Sequence, residues 1–268
     1  MPNRTALMYC YDGSFEGLLC CVFESYEQKE IPLDILLPEM AQGILLPVKE
    51  IITDTAKAGR VLGSIPQKMG APTLEFVRHA FLTCLAHKEL YILLFLRLGY
   101  RYGPAVLSRL TDPVVDKLFK AVKHLAKESH LFKGFVRFSI FSNVLVAEIE
   151  PKNYVLPLLR QHFCERYPEE HFLIVDKTHG MGLVYRPYES AVIPIRKLEL
   201  PEPDENEEYF RRLWRVFYDA VEIQGRHNPK CRMSLMPKRY WKYMTEFGSA
   251  QQKSPRRLEG SGGGKLHF

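Results

Sequence analysis

The apolar periodicity of this chain changes character once, and that change limits what the chain can fold into. Up to Ser129 the apolar residues recur mostly at three- and four-residue steps, the repeat of a helix with one buried face. From Gly134 to Ile195 they alternate in short runs, the repeat of a half-buried strand. The expected fold is therefore α+β. A short strand–turn–helix opens a helical N-terminal half; a mainly antiparallel sheet with one crossing helix and C-terminal helices follow.

Particular residues set the expected elements. Leu7–Tyr11 suits a strand, Asp12-Gly13-Ser14 a turn, and Phe15, Leu18, Leu19, Val22, Phe23 and Tyr26 one face of a helix. Asp12 or Ser14 is the expected N-cap. Leu45–Thr53 contains a candidate strand. Pro72-Thr73 opens a helix, Leu90–Leu98 is apolar almost all round and is expected to be buried, and Gly99–Pro104 reads as a break. Asp112-Pro113 is a helix start, with Asp at the cap and Pro at the first helical position. Phe135–Phe141 and Val144–Glu150, joined by Ser142-Asn143, read as a hairpin. Asn153 is placed to cap a helix across residues 154–167. Phe172–Asp176, Gly182–Arg186 and Ala191–Ile195 read as three further strands. Asp204 with Glu207 resembles a capping box, ahead of an amphipathic helix carrying Phe210, Leu213, Trp214, Phe217, Ala220 and Val221. Pro237 is the expected start of the last helix. The predicted division is 1–130, then 131–247 packed as one unit, then a disordered Gly-rich tail over 248–268.

Composition narrows the class without naming a function. The 268 residues are 46% hydrophobic and 25% charged, with a formal net charge of +6, a balance that permits an anionic partner without requiring one. Six cysteines lie at irregular spacings with no C-x-x-C, so reduced thiols and a cytoplasmic location are expected. No signal-peptide pattern opens the chain, and the longest apolar run is too short to span a bilayer, so no membrane partner is expected.

One stretch stands out electrostatically. Between Glu222 and Glu246 there is no acidic residue, while Arg226, Lys230, Arg232, Lys238, Arg239 and Lys242 are cationic. Tyr240, Trp241 and Tyr243 are interleaved with the last three. Cations serve a phosphate backbone and flat rings serve its bases. A solvated basic surface with ordinary aromatic packing explains the same letters. On the nucleic-acid reading Lys238, Arg239 and Lys242 hold phosphates, Tyr240 or Trp241 stacks on a base, and Arg226, Lys230 and Arg232 extend the track.

The chain lacks a Walker lysine loop, H-E-x-x-H, paired C-x-x-C and G-x-S-x-G. No cofactor and no metal site are expected. Candidate catalytic groups are Asp12 at the first helix start, His162 and Arg166 one turn apart on a helix, and Asp176 at the end of a strand. Asp12 also reads as a cap, and His162 as a core-edge histidine beside a solvated arginine.

Four segments taken together carry a resemblance: YDGSFEGLLCCVFESY from Tyr11, ESHLFKGFVRF from Glu128, HFCERYP from His162 and NPKCRMSLMPKRYW from Asn228. They resemble a bacterial DNA-metabolism or DNA-repair protein family that contains a domain of unknown function. The resemblance covers residues 1–247. Members of that family are typically encoded beside a radical-SAM DNA repair or modification protein, and some relatives are fused to a uracil-DNA-glycosylase-like domain. The family has no established catalytic residues, so no active site is transferred. The resemblance implies DNA as partner, with a radical-SAM protein and a uracil-DNA-glycosylase-like protein as further partners. The leading expectation is a DNA-binding accessory protein in repair or modification. The alternatives are an enzyme acting on nucleic acid, as a nuclease or in base processing, and a protein-interaction module without DNA contact.

Overall fold

The structure is a computed structural model that describes residues 5–41, 43–195, 204–221 and 228–247. Arg226 and the Gly-rich tail lie outside the described residues. The architecture is mixed α and β, and the chain divides into two compact units. The first contains the described residues up to Lys133 together with Pro151–His162; the second contains Gly134–Glu150 and the described residues from Phe163 onward. The predicted boundary at 130 did not anticipate that residues 151–162 belong with the first unit.

In the first unit three short strands form a parallel sheet, β1 (Met8–Cys10) between β2 (Asp34–Leu36) and β3 (Val48–Glu50). Helix α1 (Phe15–Glu27) follows β1. Its cap is Ser14, whose hydroxyl accepts from the Gly17 amide at 2.9 Å. Asp12 holds that hydroxyl instead of capping directly. After the single turn α2 (Pro38–Ala41) and β3, Asp54 accepts from the Ala56 and Lys57 amides and starts α3 (Thr55–Met69). The unit continues through α4 (Ala71–Phe81), α5 (Lys88–Tyr102) and α6 (Pro113–Phe135). Ile92, Leu93, Phe95 and Leu96 of α5 are fully buried, as a helix apolar all round requires. The break expected at Gly99 falls later, because α5 runs to Tyr102 and a 3-10 turn over Gly103–Ser108 follows. Asp112 accepts from the Val114 amide at the start of α6.

Asn153 does not cap a helix. It is 1% exposed, and its side chain accepts from the Cys84 amide while donating to Glu128 at 2.6 Å. Glu128 is equally buried and also accepts from the Lys152 and Asn153 amides. A carboxylate out of water needs several donors, and the 151–153 loop supplies them.

The second unit is built on a five-stranded sheet in sequence order: β4 (Ser139–Phe141), β5 (Val144–Ile149), β6 (Phe172–Asp176), β7 (Met181–Arg186) and β8 (Glu189–Pro194). Three of the four pairings are antiparallel. The hairpin at Ser142-Asn143 is present, with φ of 47° and 67°, the left-handed pair a two-residue primed turn requires. Its first strand is shorter than expected, since Phe135 still belongs to α6. The parallel pair is β5 with β6, and a parallel pair needs a long crossover. Helix α7 (Leu156–Arg166) provides it, and its Phe163 packs on Phe138 and Phe172.

Helix α8 (Glu205–Val221) departs from expectation on its apolar side. Phe210, Leu213, Trp214, Phe217 and Val221 are 39–58% exposed, so the stripe is not core. The helix docks by its polar edge. Glu207, 7% exposed, accepts from the Ile140 amide at 3.1 Å, and Arg211 donates to the Ser139 hydroxyl. The capping box is half present: Asp204 accepts from the Glu207 amide, while the Glu207 side chain is used on the sheet. A short helix α9 (Pro229–Leu235), capped by Asn228, and a 3-10 helix over Lys238–Tyr243 complete the unit.

Candidate nucleic-acid interface

The segment after Pro237, the expected start of the last helix, would as an α-helix carry Lys238 and Lys242 one turn apart on one side. It is a 3-10 helix. At three residues per turn, side chains three apart eclipse and those four apart are about 120° round. Arg239 therefore aligns with Lys242, and Lys238 aligns with Trp241. Lys238 Nζ accordingly lies 5.9 Å from the Trp241 ring centre.

The aromatic residues are largely used within the unit. Tyr240 is 5% exposed, tilted against Phe135 at 5.2 Å, with its hydroxyl accepting from Arg239. It cannot offer a face to a base, and its expected stacking role is corrected. Trp241 is half-buried. One face stacks on Phe247 at 4.4 Å, its indole N–H donates to the Met236 carbonyl, and the Arg232 guanidinium sits 5.6 Å from its ring. Lys230, Lys238 and Arg239 are exposed. Lys242 Nζ and the Tyr243 hydroxyl both bind Glu150 Oε1, at 2.6 and 2.5 Å. The Lys242 contact, then the Tyr243 contact, hold the Glu150 carboxyl below the usual carboxylate range. Burial and that same carboxylate push the Tyr243 phenol up to about 12.

Lys242 and Tyr243 also line a cleft of about 1100 Å³ within the second unit. Its other cations are Arg137, Arg211, Arg212 and Arg215, and it includes Glu148, Glu205, Glu208 and Tyr209. Arg137 sits between the end of α6 and β4 and donates to Glu246 at 2.7 Å, with the Trp214 indole donating to the same carboxylate. The Glu246 side chain is 1% exposed. Burial opposes its charge, but the Arg137 guanidinium wins and its carboxyl lies below the ordinary range. Glu207 behaves alike, with Arg211 at 2.8 Å overcoming burial. Arg137, Arg211 and Lys242 thus each have a carboxylate partner. Arg212 lies on Tyr209, 5.5 Å from the ring centre. Sequence reasoning missed Arg211, Arg212 and Arg215. The signal available was R-R-x-x-R on the polar side of an amphipathic helix.

The family model for DUF4130, a domain of unknown function, matches residues 86–246. The chain belongs to this family. The DUF4130 match begins just before α5 and runs through both the cleft and the basic stretch, leaving the parallel sheet outside it. No curated protein matches the chain. Among the described residues of this DUF4130 protein, no helix is long and apolar enough to cross a membrane.

The four candidate catalytic groups divide between the units. Asp12 and His162 belong to the first, Arg166 and Asp176 to the second. Asp12 accepts from the Ser14 amide and hydroxyl and from the Thr53 hydroxyl. Burial works against its charge, yet these donors hold its carboxyl below the ordinary range. Arg166 is exposed and contacts Tyr167. Asp176 is fully buried. It accepts from the Thr178 and His179 amides, and its Oδ2 lies 2.6 Å from His179 Nδ1. Asp176 thereby shapes the β6–β7 turn and orients a partly exposed histidine.

Proposed function

We propose that this DUF4130 protein is a DNA-binding accessory protein in DNA repair or modification, acting with a radical-SAM partner enzyme. The observation that carries the reading is the gathering of Arg212 and Arg215 with Arg137, Arg211 and Lys242 on one cleft; the last three also meet carboxylates, so Arg212 and Arg215 are the groups proposed to reach phosphate oxygens. The family resemblance of the four sequence segments supplies the repair context and the partner. Exposed Lys230, Lys238 and Arg239 extend the positive surface beyond the cleft.

A salt titration of labelled DNA tests this. Binding through about six phosphates weakens about a thousandfold between 50 and 200 mM salt. Replacing Arg212 and Arg215 together by Ala is expected to flatten the log–log slope by about one to two units. An unchanged slope would move the contact elsewhere, and no binding with or without the radical-SAM protein would remove the reading. A second reading, a protein-interaction module, is favoured by one feature, the exposed apolar face of α8. Co-purification with the radical-SAM protein that is unaffected by nuclease treatment would support it.

A further inference from the structure

We infer that the cleft of the second unit takes a short single-stranded stretch of nucleic acid, with at least one base lying on Tyr209. This rests on the DNA-binding reading and narrows it to one form of the polymer.

Three features favour a single strand over a duplex. The first is shape. The arginines of α8 face a concavity of about 1100 Å³, slightly above the roughly 300–1,000 Å³ that encloses one small organic ligand. That is room for about two or three nucleotides of a strand that can bend inward. A duplex is stiff and carries its phosphates on its outside, so a protein that grips it presents protruding cations or an element that enters a groove.

The second feature is the mixed chemistry of the lining. A duplex presents phosphate oxygens along its outside, which repel a facing carboxylate, and shows base donors only to an element that enters a groove. Here Glu148, Glu205 and Glu208 share the cleft with the arginines. Unpaired bases display donors as well as acceptors along their Watson–Crick edges. Carboxylates can accept from those donors while Arg212 and Arg215 meet the phosphates.

The third feature is an aromatic platform. Tyr209 is 48% exposed and lines the cleft, with the Arg212 guanidinium close to its ring. Rings beside cations are the arrangement that binds single strands with little sequence preference, the ring taking a base and the cation the backbone. The two aromatic residues favoured from sequence, Tyr240 and Trp241, are engaged inside the unit, whereas Tyr209 keeps half its surface.

The test compares a labelled oligothymidylate with a blunt duplex of equal length, each titrated with the full-length protein by fluorescence anisotropy. The single strand is expected to bind about tenfold or more tightly. Tyr209→Ala is expected to weaken that binding about tenfold while leaving the weaker duplex binding nearly unchanged. Tyr209→Phe keeps the ring and is expected to retain most of the affinity. Thermal melts of both variants serve as the folding control, since the side chain is half exposed. Equal or tighter duplex binding would overturn the inference while leaving the DNA-binding reading standing. So would a Tyr209→Ala variant that binds the single strand normally. Failure to bind either form would overturn the DNA-binding reading itself, and this inference with it.

Discussion

Glu128 shows how a single buried charge organises a loop. Its carboxylate receives the Lys152 amide, the Asn153 amide and the Asn153 side chain, at 3.1, 2.8 and 2.6 Å. Glu128→Ala leaves buried donors without an acceptor, so unfolding free energy is expected to fall by about 3 kcal/mol, measured by urea denaturation. Glu128→Gln keeps one acceptor and is expected to lose less. Asn153 read as a helix cap from sequence, because a short polar residue ahead of a helix normally serves that role. Its actual partners lie 25 and 69 residues away along the chain, a distance that local pattern does not reach. The carboxylates of the second unit predict a pH response. Glu150, Glu207 and Glu246 all have folded-state pKa values below the ordinary glutamate value. Their contribution to stability is therefore complete above pH about 4.3 and is lost as pH falls through the depressed values. Melting temperature is expected to drop below that point, and Arg137→Gln is expected to reduce the drop by removing the partner of Glu246.

Elements were legible where a long period or a strict turn requirement spoke, and illegible where neither did. Helix α6 declares itself over several turns, and Ser142-Asn143 between two alternating runs predicts a hairpin because few residues tolerate the left-handed pair. Strand β2 was missed. Three residues, Asp34–Leu36, all buried, show no alternation to read. The final segment was read as α-helical because its spacing fits either helix type, and only the hydrogen bonding separates three from 3.6 residues per turn. Helix α8 misled in a different way. An apolar stripe normally marks the buried side, yet here the polar edge holds the sheet. Phe217 is 55% exposed and Phe172 is 1% exposed. Phe217→Ala is therefore expected to cost under about 1 kcal/mol, and Phe172→Ala about 3–5 kcal/mol, compared by thermal melting. A large loss at Phe217 would mean that the stripe is packed in solution.

At the scale of the whole chain, the cleft was invisible in the sequence because its cations come from separated places. Arg137, the α8 arginines and Lys242 span more than a hundred positions, and only the sheet of the second unit gathers them. The basic stretch is contiguous and so legible in the sequence, and it contributes Lys242 and Tyr243 to the cleft. The path of the chain has its own consequence. It enters each unit twice, because residues 151–162 return to the first unit between two pieces of the second. Val155, Leu156 and Leu159 in that return are fully buried. A fragment ending at Lys133 would lack them, together with the Asn153 that holds Glu128, and is expected to show helical far-UV but weak near-UV circular dichroism. A protein so threaded has no seam. A single cut placed anywhere from β1 to the final 3-10 helix divides at least one unit instead of separating the two.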